Sequence, residues 1–239
     1  MHDDSQPAPP APLKTPGYFV VFEGGDGSGK STQVNAVCRW LESQGRETVR
    51  TREPGGTELA ERIRELLLDP RHAPVDSVTE ALLFAAARST HVRTVISPAL
   101  ERGAVVVSDR FLDSSLAYQG VGRDLGEDWV STINDRAVNG TLPDLTVVLD
   151  LPVDEARRRR ETREQAAAGT TDRIEAEGED FQHRLREVFL RRASAAPERY
   201  LVLDARASVE DLTAQIQQRI AHDLDHPDAA VSTATGGDR

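Results

Sequence analysis

Short runs of β-branched and aromatic residues alternate along this chain with stretches whose apolar positions recur every three or four residues. The runs predict strands at 18–23, 47–51, 104–109, 145–150 and 200–204. Three of them (VVFEG, AVVVSD and LTVVLD) carry the near-continuous Val and Leu of strands covered on both faces. The longer period predicts helices at 31–43, 58–68, 78–101, 127–139, 154–164, 178–193 and 209–222. Strand and helix in alternation mean parallel strands joined by right-handed crossovers. The fold class is therefore α/β, a doubly wound five-stranded parallel sheet flanked by helices. In such sheets ligands sit beyond the carboxyl ends of the strands, so chemistry is expected in the loops after these runs.

Composition narrows the picture. A chain of 239 residues suits one α/β domain with unstructured ends. A net charge of −11 argues against a nucleic-acid polymer as partner, because polymer binding needs broad positive surface. Small anionic substrates remain open if positive charge is gathered in a cleft. Cys38 is the single cysteine, so no intramolecular disulfide can form; among Val34, Val37 and Leu41 it reads as a buried inert thiol. No apolar stretch approaches membrane-span length and no hydrophobic signal region opens the chain, so a cytoplasmic protein without membrane contact is expected. Residues 1–16, rich in proline, and 223–239, short of large apolar side chains, are expected to be disordered tails around a domain at 17–222. The histidines (His2, His72, His91, His183, His222 and His226) are scattered and read as ordinary surface residues.

The first predicted strand ends in Gly24-Gly25-Asp26-Gly27-Ser28-Gly29-Lys30-Ser31-Thr32, which fits GxxxxGK(S/T) with a helix following. Gly24, Gly27 and Gly29 allow the backbone to turn its amides inward as an anion-binding nest, and the helix N-terminus adds partial positive charge. Lys30 can reach the β- and γ-phosphates of ATP, and the Ser31 hydroxyl can ligate Mg²⁺. A phosphate loop names a nucleotide but not a reaction. A GTPase switch would need Asn-Lys-x-Asp after a later strand, and the chain has none.

The second strand leads into Thr51-Arg-Glu53-Pro-Gly-Gly-Thr57, a tight connection with Thr57 as a helix N-cap. Glu61, Arg62 and Arg64 follow on the helix. Arg62 reads as a solvated face, whereas Glu53 and Arg64 stay candidates for the site. The third strand ends in Asp109-Arg110. An aspartate closing that strand is placed to hold a metal or its water, and an arginine beside it can grip a phosphate with two hydrogen bonds. Read locally, the same pair could be a structural ion pair. Phe84 and Arg88 share one helix face and suit an aromatic stack and a guanidinium at a pyrimidine edge. Taken alone, Phe84 is as well explained by core packing.

In their order, FEGGDGSGKST, TREPGGTELAERIRELLL, LLFAAARSTH, SDRFLDSSLAYQG, PDLTVVLD and DRIE resemble the successive motifs of bacterial thymidylate kinases. The resemblance runs from about residue 18 to 204 and implies a P-loop kinase fold with a helical arginine-rich lid at about 157–177. It implies that Phe84 stacks on thymine while Arg88 and Gln119 bond its edge. Arg110 would hold the acceptor phosphate, with Arg64, Ser114 and Ser115 around the nucleotide. Asp26 and Glu53 would lie near the sugar and metal, Tyr118 would crowd the 2′ position, and the chain would form a homodimer with dTMP and ATP as substrates.

Arginines crowd the segment after the fourth strand: Arg157, Arg158, Arg159, Arg160 and Arg163, then Arg173. On a helix they cannot share one face, so several are solvated. A lid closing over ATP still needs arginines to meet the charge on the transferred group. Position 27 is Gly where some thymidylate kinases carry arginine, so the catalytic arginine is expected from the lid: Arg160 or Arg163, with Arg173 as helper. The run 165–171, with Gly169, is expected to be flexible. A phosphate monoester is mostly dianionic at neutral pH and needs no general base, in keeping with a chain showing no Ser/His/Asp or Cys/His constellation. Two other readings are a kinase of this fold for another nucleoside monophosphate and a nucleotide-binding regulator without transfer chemistry.

Overall fold

The computed structural model describes residues 16–72, 74–167 and 177–226, with residue 70 and residues 163–167 described by backbone alone. Most of the two expected tails, Gly169 and the Asp172-Arg173-Ile174-Glu175 segment lie outside these residues. The strands are β1 (Tyr18–Glu23), β2 (Thr48–Arg52), β3 (Val105–Asp109), β4 (Leu145–Asp150) and β5 (Tyr200–Asp204). They form one parallel sheet in the order β2-β3-β1-β4-β5. The helices are α1 (Lys30–Ser43), α2 (Glu58–Leu68), α3 (Ser77–His91), α4 (Ser97–Glu101), α5 (Leu112–Ser115), α6 (Glu127–Val138), α7 (Val153–Ala167), α8 (Glu179–Ala195) and α9 (Val209–Asp225).

β1 is buried along its whole length because the sheet is covered on both sides. Tyr18, Val20 and Phe22 pack with Val34, Val37, Cys38 and Leu41 of α1 and with Leu212, Ile216 and Ile220 of α9. Phe19 and Val21 pack in a second cluster with Val92, Ile96, Leu100 and Phe111. This two-residue alternation, both phases apolar, is what the unbroken Val/Phe run encodes.

The helical expectations need correction in four places. The predicted helix at 78–101 is interrupted: α3 opens into a wide turn at Val92–Ile96 before α4 resumes. Pro98 has no N–H to give and its ring would crowd the carbonyl four residues back, which the wide turn relieves. The segment after β3, which shows no clear period, forms α5 and a second wide turn at Leu116–Gly122. Its Leu116, Ala117, Tyr118 and Gln119 are all buried, so no polar face marks the helix in the sequence. At the far end α9 continues through Asp223, placed by composition in the tail; its carboxylate accepts hydrogen bonds from Tyr18 (2.7 Å) and Arg219 (2.9 Å). α7 likewise reaches Ala167, into the stretch expected to be flexible.

Register brings the loops together. Phe22 of β1 and Arg52 of β2 both pair with Asp109 of β3, so three strands end at one level. The backbone then crosses between them: Arg110 N–H donates to Phe22 O (2.9 Å) and Glu53 N–H to Asp109 O (3.0 Å). With β1 between β3 and β4, this edge is the topological switch point of the sheet.

Glu23, the last residue of β1, fastens one of these loops. Its fully buried carboxylate accepts from the amides of Phe111 (2.9 Å) and Ser114 (3.1 Å) and from the Ser114 hydroxyl (2.6 Å). Burial and the neighbouring Asp113 carboxylate push its pKa up to about 7, against the opposing pull of Arg110 and these hydrogen bonds. The folded chain thus keeps this proton to about pH 7, whereas the unfolded chain releases it near about pH 4.3. Folding stability from this group is full below about pH 4.3 and is lost as pH rises through 7. Denaturant titrations from pH 4 to 8 should show that Glu23→Gln removes a fall on the order of 3 kcal/mol across this window. Parallel pH curves for the two proteins would assign the titration elsewhere.

Candidate active site

The phosphate loop leaves β1 at Gly24 and enters α1 at Lys30. Two of its glycines are required by space as well as by backbone angle. Gly24 has φ +132°, and a Cβ there would lie 2.5 Å from Leu149 O. Gly27 has φ +87°, and its Cβ would meet Ala156 O at 2.9 Å and the Arg160 Cγ at 3.4 Å. The Lys30 ammonium is buried in the loop, donating to Gly24 O (3.0 Å) and Gly25 O (2.9 Å) and lying 3.8 Å from Asp26. Burial, then repulsion from Arg110, lowers its pKa from the usual lysine value. Ser28 is buried beneath the loop, while Ser31 and Thr32 are exposed in the first turn of α1. The Ser31 hydroxyl donates to Asp109 at 2.7 Å, so the two oxygens expected to serve a metal already adjoin. Mg²⁺ keeps most of its waters and takes one or two protein oxygens besides phosphate, which this hydroxyl–carboxylate pair fits.

Arg110 joins this loop to its neighbour. Its backbone lies in the left-handed region (φ 72°), uncommon for a non-glycine residue and costly to hold. The guanidinium donates to Gly24 O (3.2 Å), Ser114 (3.0 Å), Asp26 (2.6 Å) and the Tyr118 hydroxyl (3.1 Å), and lies 5.1 Å over the Tyr118 ring. Burial alone would raise the pKa of Asp26, but Arg110 and Lys30 outweigh it and hold the carboxyl well below the usual aspartate range. Asp26 is therefore an anion at working pH rather than a proton acceptor.

Beside this pair opens a partly enclosed cleft that holds both charged and aromatic side chains. Asp26, Glu53, Arg64, Phe84, Arg88, Arg110, Ser114, Ser115, Tyr118 and Gln119 all line it. The structure therefore brings together the residues expected around an acceptor nucleotide, from five different stretches of chain. Phe84 is half-buried between Leu68 and the Tyr118–Phe181 cluster, leaving ring surface to the cavity. Arg64 donates to Pro54 O at 2.9 Å, and Gln119 donates its amide to Glu80 at 3.0 Å. Arg88 is 2% exposed and donates to Glu53 (2.7 Å), Ser115 (2.9 Å), Phe111 O (2.9 Å) and Asn134. Of its five N–H groups, one has no partner among the described residues.

The lid arginines divide as helix geometry requires. Arg157 pairs with Glu179 (2.7 Å), Arg158 with Asp154 (3.6 Å), and Arg159 donates to Ala205 O. Arg160 turns to the phosphate loop: its stem packs at Gly27, its charge acts on Asp26, and its Nη1 is buried without a partner among the described residues. Arg163 stands on α7 with its side chain outside the described residues, as is Arg173 altogether. Arg62 meets Glu58 on an exposed face, as expected.

Two features escaped the sequence reading. Glu23 was passed over, although a carboxylate ending an apolar strand directly before the phosphate loop is a signal in itself. His91, expected at the surface, is instead wholly buried, with Nε2 2.6 Å from the Thr51 hydroxyl and Nδ1 3.0 Å from Glu53. The last turn of α3 presses this ring against the end of β2, so a Thr/His/Glu constellation exists where the sequence showed none.

Comparison with known proteins agrees with this geometry. The thymidylate kinase family model matches residues 22–216. A thymidylate kinase of Clavibacter sepedonicus is 51% identical over 208 residues, covering 87% of this chain and 96% of its own. One of Chromohalobacter salexigens is 49% identical, covering 88% and 98%. The crystal structure of thymidylate kinase from Ehrlichia chaffeensis superposes with a TM-score of 0.68 at 30% identity, over 85% of this chain and 98% of that one. A phosphate loop, an arginine bridging it to the neighbouring cavity, and motif agreement along most of the domain all lead one way: this chain belongs to the thymidylate kinase family.

Proposed function

We propose that this chain transfers the γ-phosphoryl group of ATP to thymidine monophosphate, giving thymidine diphosphate and ADP. The observation that carries the reading is Arg110, whose one guanidinium bonds the phosphate-loop carbonyl of Gly24 and faces the cavity that holds Phe84 and Arg88. Donor and acceptor phosphates would thus meet at a single fixed cation.

The acceptor is already a nucleophile as a phosphate dianion, so positioning and charge stabilisation carry the catalysis. Lys30 exchanges its loop carbonyls for phosphate oxygens, Arg110 orients the acceptor phosphate, and the unpartnered Arg160 nitrogen meets charge on the group in transfer. When bound at Ser31 and Asp109, Mg²⁺ supplies further charge neutralisation at the triphosphate. In the cavity Phe84 stacks on the base, Arg88 and Gln119 address its edge, and Tyr118 closes the space beside the sugar. Asp26 and Glu53 bound the sugar side, and Arg64, Ser114 and Ser115 surround the nucleotide.

We also assign a homodimer and a cytoplasmic setting. On adjacent helices α2 and α3, Leu59, Leu66, Val78 and Leu82 stay exposed, apolar side chains that a second copy of the chain would cover. No helix among the described residues is long and apolar enough to cross a membrane.

Lys30→Ala should cut kcat by about a hundredfold or more with the circular dichroism spectrum unchanged; near-normal turnover would remove the phosphate-loop assignment. Phe84→Ala should raise the dTMP KM about tenfold and the ATP KM little; equal changes would return Phe84 to the core. Arg160→Ala should lower kcat more than Arg163→Ala. With ATP and Mg²⁺, a panel of dTMP, dUMP, dCMP and dGMP should release ADP fastest with dTMP. ATP binding without acceptor-dependent ADP release would instead make the chain a regulator.

A further inference from the structure

His91 lies outside the roles assigned above, yet it is wholly buried and both ring nitrogens are engaged. It stands one turn beyond Arg88 on α3, and the two residues share one carboxylate. Glu53 Oε2 accepts from Arg88 Nε at 2.7 Å, and Glu53 Oε1 faces His91 Nδ1 at 3.0 Å. On the other side of the ring, Nε2 is 2.6 Å from the Thr51 hydroxyl. Gly56 closes over that contact so tightly that a Cβ would lie 2.6 Å from both His91 Nε2 and Thr51 Oγ1. Nothing but glycine fits there, and the ring cannot tilt toward the loop.

Proton placement follows from these partners. An ionised carboxylate only accepts, so Nδ1 must carry a proton to bond Glu53. In the neutral ring Nε2 then accepts from Thr51, whose hydroxyl can donate. Glu53 is held at both oxygens, and Arg88 Nε has one fixed place to point. Without His91, one oxygen of a carboxylate only 5% exposed would be left unsatisfied, and Glu53 would be free to rotate.

We propose that His91 is a positioning residue for the acceptor nucleotide. Thr51 sets the imidazole tautomer, the Nδ1 proton fixes the Glu53 carboxylate, and Glu53 aims the Arg88 guanidinium so that its remaining N–H meets the base. This rests on the cavity at Phe84 and Arg88 being the acceptor pocket. The device works through hydrogen-bond direction alone, and its signature is sensitivity to which nitrogen is kept.

Asparagine places its amide nitrogen near the position of Nδ1, and glutamine places its own near Nε2. His91→Asn therefore keeps the donor to Glu53, whereas His91→Gln loses it. We expect His91→Gln to raise the dTMP KM about tenfold more than His91→Asn does, with the ATP KM moving equally in both. Equal dTMP KM values, or the reverse order, would overturn the proposal. Thr51→Val gives a second variant outside the buried ring, and it should raise the dTMP KM while sparing the ATP KM; an unchanged dTMP KM would overturn the role of Thr51. Should the His91 variants not fold, ¹⁵N spectra of the wild-type protein decide, with His91 assigned by replacing the other histidines one at a time. A protonated Nδ1 supports the relay and a bare Nδ1 excludes it. Phe84→Ala is the control: no effect on the dTMP KM refutes the pocket assignment, whereas a raised KM beside identical His91 variants refutes the relay alone.

Discussion

The contact between Arg110 and Asp26 is where the two halves of the site become one object. It is a charge-assisted hydrogen bond of 2.6 Å in a setting that excludes most water, where such bonds are strong and an unpaired charge is costly. The phosphate loop is on one side and the cavity on the other, and this bond joins them. Asp26 holds the guanidinium across the gap, and Gly24 and Ser114 fix its plane. The backbone of Arg110 accepts left-handed geometry to reach this position, its amide anchored to Phe22 at the end of β1. The cost of that geometry is met by interlocking bonds from three strands' ends, which is how strained residues persist at functional sites.

A second layer of buried carboxylates stands behind this contact. Glu23 secures the loop of Phe111 and Ser114, and Asp113 accepts from Tyr200 (2.6 Å) and Arg192 (2.9 Å). Glu53 secures Arg88 and His91. Each reaches from one secondary element to another, so the cleft is shaped by hydrogen bonds of defined direction where packing alone would tolerate drift. The chain is strongly acidic overall, yet its cleft gathers Lys30, Arg64, Arg88, Arg110 and Arg160. That local cation excess is what an anionic pair of nucleotides requires, whatever the global charge.

Much of this could be read along the chain because the relevant signals are local. The Val-rich strands declare a sheet covered on both faces, and the spacing from Gly24 to Ser31 declares a loop that faces phosphate. Thr57 caps α2 as its position suggests, accepting from Ala60 at 3.0 Å. What could not be read is long-range. His91 stands 40 residues from Thr51 and 38 from Glu53, and only the crossing of α3 over the end of β2 makes them neighbours. The wide turns were hidden for a different reason: Leu116–Gly122 is buried almost throughout, so the polar face that reveals a helix is missing. Among the arginines of α7, composition named the group, and only packing against Gly27 separates Arg160 from Arg157, Arg158 and Arg159.

That packing limits which neighbours in sequence space this chain can reach. Residue 27 has left-handed backbone, a carbonyl at contact distance and the stem of Arg160 across it. A side chain introduced there would press on the Ala156 carbonyl and on the stem of the arginine arriving from α7. The smallest residue of the loop thus sets how near α7 can stand to it.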